Sequence, residues 1–382
     1  MQPSRSWTHS ADAVKKRRKV LFAINRLGVG GAEAMLIEQA EALGGMGCAP
    51  EILTIYENPK ENFVTKIPSN IPYHQLHFTG FFDFTSWRVL FVLLREGRYD
   101  AVITNLFDTN VIVRCAAILA GVPVILSYEH NVYAEKTRWQ IFVDWILAKG
   151  TTRVIVGSKQ VLEFTTTQER IPREKFLVNY NAAKLTFGDA HMRRNATLKT
   201  MGLSPRLTYI TTAGRLIEQK GHMYLIDAAA VVAKKHPRAL FLVFGEGALH
   251  EELTRQIAKH HLEQTVLLMG VHPMRDIAAA TDIFAFPSLW EGFSIALINM
   301  MDAGRPIVAT RVAGTEEALV DGESGIVVPI KDSVALADGI NDLLDHPDKA
   351  AQLAQGAKRA SQRFSIEENA RVLEGLIASV RA

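Results

Sequence analysis

Apolar residues in this chain come in short unbroken runs, each followed by a glycine-containing or polar turn and then by a longer amphipathic stretch. Short apolar runs bounded by turn residues predict buried strands, and the longer stretches predict helices. In the first half, strands are expected at Lys19–Ile24, Glu51–Tyr56, Ala101–Thr104, Val122–Ser127, Arg153–Val156 and Phe176–Asn179. Helices are expected between them: one running through Leu43, others over about Ser86–Arg95, Asn110–Ala120 and Arg138–Ala148, and one from Ser158. The pattern breaks at Gly188–Pro205, a polar stretch holding His191, Arg193, Arg194 and Asn195, which reads as an interdomain connection. It resumes with expected strands at Leu207–Thr212, Ala239–Phe244, Thr265–Met269, Asp282–Ala285, Pro306–Thr310 and Gly325–Val328, and a helix over Gly221–Lys235. Residues 331–380 carry no strand run and read as helical.

Strand–helix alternation implies a parallel sheet with helices on both faces. Two successive doubly wound α/β halves account for 382 residues, too many for one ordinary core. The expected division is an arm over 1–18, a first domain over 19–187, the connection at 188–205, a second domain over 206–363 and a final helix over 364–382. That helix has one apolar face, built from Ala370, Val372, Leu373, Leu376 and Ile377. In such sheets ligands bind beyond the carboxyl ends of the strands, so functional residues are sought just after strands.

Composition narrows the class. Hydrophobic content of 48% and charged content of 22% suit a globular enzyme. No apolar run approaches the roughly 20 residues of a spanning helix, and no secretory signal stands out, so a cytoplasmic location is expected. Cys48 and Cys115 lack metal-ligand spacing and read as reduced thiols. The net charge of +3 is unevenly placed. Arg5, Lys15, Lys16, Arg17, Arg18 and Lys19 face only Asp12 in the first 20 residues, which leaves the rest of the chain slightly acidic. Such an arm is either a solvated tail or a contact for anionic lipid headgroups. Phe81, Phe82, Phe84 and Trp87, followed by Arg88 and Arg95, and a second set at Trp139, Phe142, Trp145 and Ile146 either pack on the sheet or face a membrane. No zinc knuckle and no basic stripe with interleaved aromatics points to nucleic acid.

Three loops carry candidate chemistry. Gly28-Val29-Gly30-Gly31-Ala32-Glu33 lies between a strand and a helix, where a backbone can approach a ligand at a helix N-terminus. Alone it is close to a dinucleotide fingerprint and would suggest a dehydrogenase. Gly214-Arg215-Leu216 follows a strand, and Lys220-Gly221 opens the next helix. Arg215 offers a bidentate fork and Lys220 a compact charge, a pair that suits a diphosphate. The stretch Phe286 to Ser294 runs from a strand to a helix, with Glu291 in the turn, Ser294 as a cap and Asn299 about two turns in. Gly314-Thr315-Glu316-Glu317 then opens another short helix.

From Thr212 to Pro329 the chain resembles the donor domain of retaining glycosyltransferase family 4, which has the GT-B fold of two Rossmann-like domains facing across a cleft. The segments that carry the resemblance are A-G-R-L-I-E-Q-K-G, F-G-E-G, A-T-D-I-F-A-F-P-S-L-W-E-G-F-S, D-A-G-R-P-I-V-A-T, G-T-E-E-A-L and D-G-E-S-G-I-V-V-P. Upstream, G-V-G-G-A-E, Tyr128-Glu129-His130, V-G-S-K and N-Y-N-A are similar to acceptor-domain landmarks. The resemblance implies that Arg215 and Lys220 hold a donor diphosphate, with the Gly292, Phe293 and Ser294 backbone beside it. It implies that Glu291 contacts the donor sugar and His130 lies near sugar and acceptor, these two being the candidate catalytic groups. Gly30 and Gly31 would approach from the first domain, Glu317 would lie close by, and Asn299, Gly245 and Glu246 would take the nucleotide. It also implies that the final helix returns to the first domain. Three positions depart from the pattern: Asn299 replaces the second glutamate of the signature, Glu316 stands where proline is usual, and Ala182 stands where glycine usually follows Asn181. An amide oxygen at Asn299 still accepts a hydrogen bond, without the charge.

The expectation is therefore a retaining transferase that moves a sugar from a nucleotide-sugar, with UDP as the expected nucleotide, to a hydroxyl of a lipid-linked or growing cell-surface glycan. A GT-B epimerase, a phosphorylase and a catalytically weak donor-binding homologue are the alternatives. No Asp-x-Asp clamp occurs, so neither metal nor other cofactor is expected. The expected partners are donor, glycan acceptor and an anionic membrane surface on the inner face of the plasma membrane.

Overall fold

A computed structural model describes residues 17–60, 62–130 and 136–379; residues 1–16 of the basic arm and positions 380–382 lie outside them. Two sheets form among the described residues. The first holds β1 (Arg18–Ile24), β2 (Cys48–Thr54), β3 (Tyr73–Gln75), β4 (Ala101–Asn105), β5 (Val124–Glu129), β6 (Arg153–Val156) and β7 (Phe176–Val178), in the order β3-β2-β1-β4-β5-β6-β7. The second holds β8 (Thr208–Ala213), β9 (Ala239–Phe244), β10 (Val266–Gly270), β11 (Ile283–Phe286), β12 (Ile307–Thr310) and β13 (Ile326–Val328), in the order β10-β9-β8-β11-β12-β13. The strand pairings are parallel. Helices α1 (Gly31–Gly45), α2 (Phe84–Gly97), α3 (Phe107–Ala120), α4 (Arg138–Gly150) and α5 (Lys159–Glu169) flank the first sheet. After them come α6 (Ala190–Thr200), α7 (His222–Lys235), α8 (His250–Lys259), α9 (Met274–Ala280), α10 (Ile295–Asp302), α11 (Ala313–Ala318), α12 (Ser333–Asp345), α13 (Pro347–Ser361) and α14 (Ile366–Ser379).

The central strands explain why the apolar runs were unbroken. β4 and β5 are buried along their whole length, because helices cover both faces of a parallel sheet. α1 covers one face of the first sheet, with Met35, Leu36, Ala40 and Leu43 in one core cluster. On the other face Leu90 and Leu94 of α2 and Ile112 and Val113 of α3 pack in a second cluster. Each sheet reverses its strand order once, between β1 and β4 and between β8 and β11. A crevice opens at such a reversal, beyond the carboxyl ends of the two strands, because the connections leave in opposite directions. Those four strand ends therefore frame the candidate site.

The polar stretch at 188–205, read as an interdomain connection, is largely helical: most of it is α6. Ala190, Thr197 and Leu198 are buried in α6, and Ala190 and Leu198 join a core cluster of the second sheet. The long cation between them is also used for packing: Arg194 forks onto Asp282 at 2.8 and 2.7 Å and lies over the Tyr209 ring. Polarity by residue count hid an amphipathic helix whose buried face includes an arginine stem.

After α13 the chain returns to the first domain. Ala183 N donates to Phe364 O at 3.1 Å and Ile366 N to Ala183 O at 3.0 Å, so the crossing is tied down by backbone. Beyond it, Ile366, Ala370, Leu373 and Ile377 of α14 pack in the same cluster as Val20, Met35 and Leu36. Asn369 anchors the start of α14, accepting from Gln39 Nε2 at 2.8 Å and donating to the Tyr180 carbonyl at 2.7 Å.

Candidate active site

The second-sheet crevice gathers the expected donor residues. Lys220, in the turn before α7, forms an ion pair with Glu291, in the loop after β11. Both side chains are largely buried, and Ser288 Oγ donates to the same Glu291 oxygen at 3.1 Å. Backbone bonds hold the two loops together: Leu289 N donates to Gln219 O at 2.8 Å, and Gln219 Nε2 to Trp290 O at 3.0 Å. The approach is so close that a Cβ on Gly221 would stand 2.0 Å from the Pro287 carbonyl oxygen; its φ of +61° likewise favours glycine. Arg215 leaves the end of β8, where its carbonyl lies 3.2 Å from His222 Nε2. Gly245 and Glu246 follow the neighbouring β9, and the Glu246 carbonyl accepts from Leu216 N at 2.9 Å, which sets them beside the Arg215 loop.

Ser294 caps α10, accepting from Leu297 N at 3.4 Å. Asn299 is buried five residues further along the chain, and its Oδ1 has no partner. A buried amide oxygen left unpaired is costly unless something else donates to it, so the position is suited to a ligand hydroxyl.

The first domain closes the other side. Gly31 opens α1 against α10: a Cβ there would lie 3.3 Å from Ile295 Cδ1. Gly30 lies beneath the Glu33 carboxylate, whose position a Cβ on Gly30 would invade. Burial raises the Glu33 pKa, and the Arg215 charge acts the other way, so a carboxylate of the first domain faces a cation of the second across the cleft.

His130, just beyond β5, is largely buried, to the same degree as Glu291 and Asn299. It stacks on Tyr128 with ring centroids 4.5 Å apart. Its Nδ1 lies 3.0 Å from Asn181 Oδ1 and its Nε2 2.8 Å from Asn105 Oδ1. Burial lowers its pKa to about 4, so it is neutral at pH 7 and carries one ring proton. Asn181 is fixed by its own donation to Phe293 O at 3.1 Å. Asn105 is held in the same way, its Nδ2 donating to the Ala23 carbonyl at 3.3 Å, so an amide oxygen faces each ring nitrogen. This chain of contacts links His130 to the backbone of the donor loop. A buried charge cluster holds the adjoining end of β5, with Glu129, Asp144 and Glu169 around Lys136 and with Arg114 on Asp144.

Glu317 is placed differently from the other candidates. It lies in α11, and its carboxylate accepts from Lys159 N at 2.9 Å and Gln160 N at 3.1 Å, at the N-terminus of α5. In this conformation it clasps the two domains. Gly292 is nearby, its carbonyl 2.7 Å from where a Gly314 Cβ would stand. The sequence reading did not assign Glu33, Asn105 or Asn181 a role. Glu33 had a signal, since it lies at the end of the glycine turn, and Asn181 had one in the N-Y-N-A segment; Asn105 had none, because its partner lies far away in the chain.

Comparison with known proteins fits this geometry. Residues 29–187 match the family model described as Glycosyltransferase Family 4, and residues 199–360 match Glycosyl transferases group 1. The chain belongs to this glycosyltransferase family. A relative in Escherichia coli, UDP-Gal:alpha-D-GlcNAc-diphosphoundecaprenol alpha-1,3-galactosyltransferase, is 28% identical over 65% of this chain and 67% of its own. The lipopolysaccharide core biosynthesis mannosyltransferase LpsB of Rhizobium meliloti is 31% identical over 48% of this chain and 54% of its own, so that match spans about half of the relative. Among solved structures, Anabaena HepE in complex with UDP-glucose superposes with a TM-score of 0.83 at 22% identity, covering 94% of this chain and 99% of that one. That likeness shows the fold, a two-domain Rossmann-like GT-B arrangement.

Proposed function

We propose that this chain transfers a sugar, with retention of configuration, from a UDP-sugar to a hydroxyl group of a lipid-linked glycan. The observation that carries the reading is the ion pair of Lys220 with Glu291 at the β8–β11 crevice, with Arg215 in the loop that leads to Lys220 and a buried, unpaired Asn299 oxygen in the helix that follows Glu291. Arg215 and Lys220 supply charge that compensates a diphosphate as it leaves, without a metal. Lys220 exchanges its contact with Glu291 for a phosphate oxygen, which frees the carboxylate to orient the donor sugar. The bond from the sugar to the diphosphate breaks, and a bond to the acceptor oxygen forms on the same face. The acceptor proton passes to the departing phosphate oxygen. Relatives named as acting on diphosphoundecaprenol-linked and lipopolysaccharide substrates support a lipid-linked or core-oligosaccharide acceptor. A panel of nucleotide-sugars tests this, read by thermal stabilisation and by product formation with and without EDTA. The expected result is selective stabilisation by one UDP-sugar and turnover that survives chelation. Selectivity for another nucleotide, or loss of turnover with EDTA and recovery with manganese, would overturn the corresponding part.

The acceptor lipid implies a membrane, and the exposed aromatics supply a contact for it. Phe82 is 79% exposed and Trp139 70%, with Phe81, Phe84, Phe142 and Trp145 also exposed on α2 and α4 or just before them. Arg88, Arg95, Arg138 and Lys149 are exposed on the same two helices, so the patch pairs apolar rings with positive charge, as an anionic bilayer surface requires. Among the described residues no helix is long and apolar enough to cross a membrane. Sedimentation with vesicles should show more binding to anionic than to neutral lipid. Phe82→Ser with Trp139→Ser should lower it about tenfold or more, given the value of burying such rings. Equal, near-zero partition to both vesicle types would remove membrane docking and leave the donor chemistry standing.

A further inference from the structure

The second domain carries another cavity, at the opposite ends of the same strands. It has a volume of about 730 Å³ and opens where β8, β11 and β12 begin, with α6 and α13 beside it. Four cations line it, Arg194, Arg206, Arg305 and Lys358, against one carboxylate among its described lining residues, Asp282. That carboxylate is already engaged. Both its oxygens accept from the Arg194 fork, and one also accepts from Tyr209 N at 2.9 Å.

Arg305 is the unusual member. It lies between α10 and β12 and is 1% exposed. Its Nη1 donates to His191 Nδ1 at 3.0 Å, while Nε and Nη2 have no partner. Among the described residues no carboxylate lies within ion-pair distance of it. Burial lowers its pKa to about 10, so it remains charged at neutral pH. Asp282 acts on it from beyond ion-pair distance but is committed to Arg194, and a buried guanidinium with unpaired N–H groups and no ion-pair partner is unfavourable, which an anion relieves. His191 keeps its Nδ1 lone pair toward Arg305 and its own charge suppressed by burial and by that neighbour. It is an exposed residue on α6 and forms the outer wall over Arg305. On the rim, Lys358 reaches past Gly188 and Gly304: a Cβ at either would touch its side chain at 3.3 and 3.7 Å.

We propose that this cavity is a second anion site, which takes the phosphate group of a small phosphorylated metabolite. Arg305 is the buried anchor, reached when the His191 ring turns aside. Arg206 and Lys358 are the rim cations. The volume falls within the roughly 300–1,000 Å³ of small-molecule sites, enough for a sugar phosphate rather than a bare ion. The site is separate from the donor crevice: the two lie at opposite ends of the sheet, joined by α10, which runs from Ser294 to the residues just before Arg305.

Isothermal titration with glucose 1-phosphate and with inorganic phosphate, against chloride at matched ionic strength, tests the assignment. Glucose 1-phosphate is expected to bind wild type in the micromolar range, and to bind an Arg215→Ala/Lys220→Ala variant equally well. Arg305→Met should abolish binding. Arg206→Ala/Lys358→Ala, which changes only exposed side chains, should weaken it about tenfold or more, and decides the matter if the Met variant does not fold. Inorganic phosphate binding as tightly as the ester would support the site with free phosphate as its ligand. No binding by wild type, or binding lost in the Arg215/Lys220 variant and kept in both rear variants, would overturn the proposal.

Discussion

Replacing Glu291 with alanine is expected to lower kcat by about 10²-fold or more, whereas Asn299→Ala should leave kcat near wild type and raise the donor KM about fivefold. The difference follows from what each group faces. Glu291 is charged, buried and already paired with Lys220 and Ser288, so it belongs to the electrostatic arrangement that changes as the diphosphate departs. Interactions that strengthen as charge develops act on turnover. Asn299 offers a neutral buried oxygen without a partner, which fits one ligand hydrogen bond made equally before and during reaction. Glu291→Gln separates charge from shape, because the amide oxygen can still accept from Ser288; it should fall between wild type and alanine. Steady-state kinetics with the selected donor checks this, with thermal melting as the folding control. Full turnover in Glu291→Ala together with none in Asn299→Ala would reverse the assignment.

The second sheet was legible because its function lies in local sequence. β8, β9, β11 and β12 are short apolar runs, and the candidates after each, Arg215, Gly245, Glu291 and Gly314, follow within a few residues. Once the strands are read in parallel, those loops must meet at one edge. The first domain was less legible for the same physical reason. His130 follows an apolar strand, which made it a candidate, but nothing local announces its neighbours. Its surroundings, Asn105, Tyr128 and Asn181, come from three places in the sequence and enclose it. Glu317 sits in a family-like turn, yet its carboxylate reaches the α5 N-terminus across the domain boundary, a partner that no local pattern announces. β3 was missed because three partly buried residues, Tyr73, His74 and Gln75, carry no apolar run. α6 was missed because its buried face is small and includes Arg194.

Leu373→Ala is expected to cost about 3 kcal/mol of stability, within the range for removing a buried leucine from a packed site. Leu373 is fully buried, on a helix from the chain's last residues, among side chains from its first strand and helix. α14 is therefore a structural part of the first domain, although more than 180 residues separate it from β7. The loss should be felt first in that domain: α14 covers β1 and α1, which lead into the Gly30-Gly31 turn, and Asn369 ties it to Gln39 and Tyr180. Exposed Arg371, two residues away on the same helix, pairs locally with Glu368 and should tolerate alanine within about 0.5 kcal/mol. Denaturant unfolding checks the pair, followed by circular dichroism and by tryptophan fluorescence. The first domain contributes Trp87, Trp139 and Trp145 and the second Trp290, so the fluorescence change is weighted toward the first. If Leu373→Ala unfolds within error of Arg371→Ala, then α14 lies on the first domain without stabilising it, and the closing contact must come from the other links between the domains, among them Glu317, the Ala183–Phe364 bridge and the Asn181–Phe293 bond.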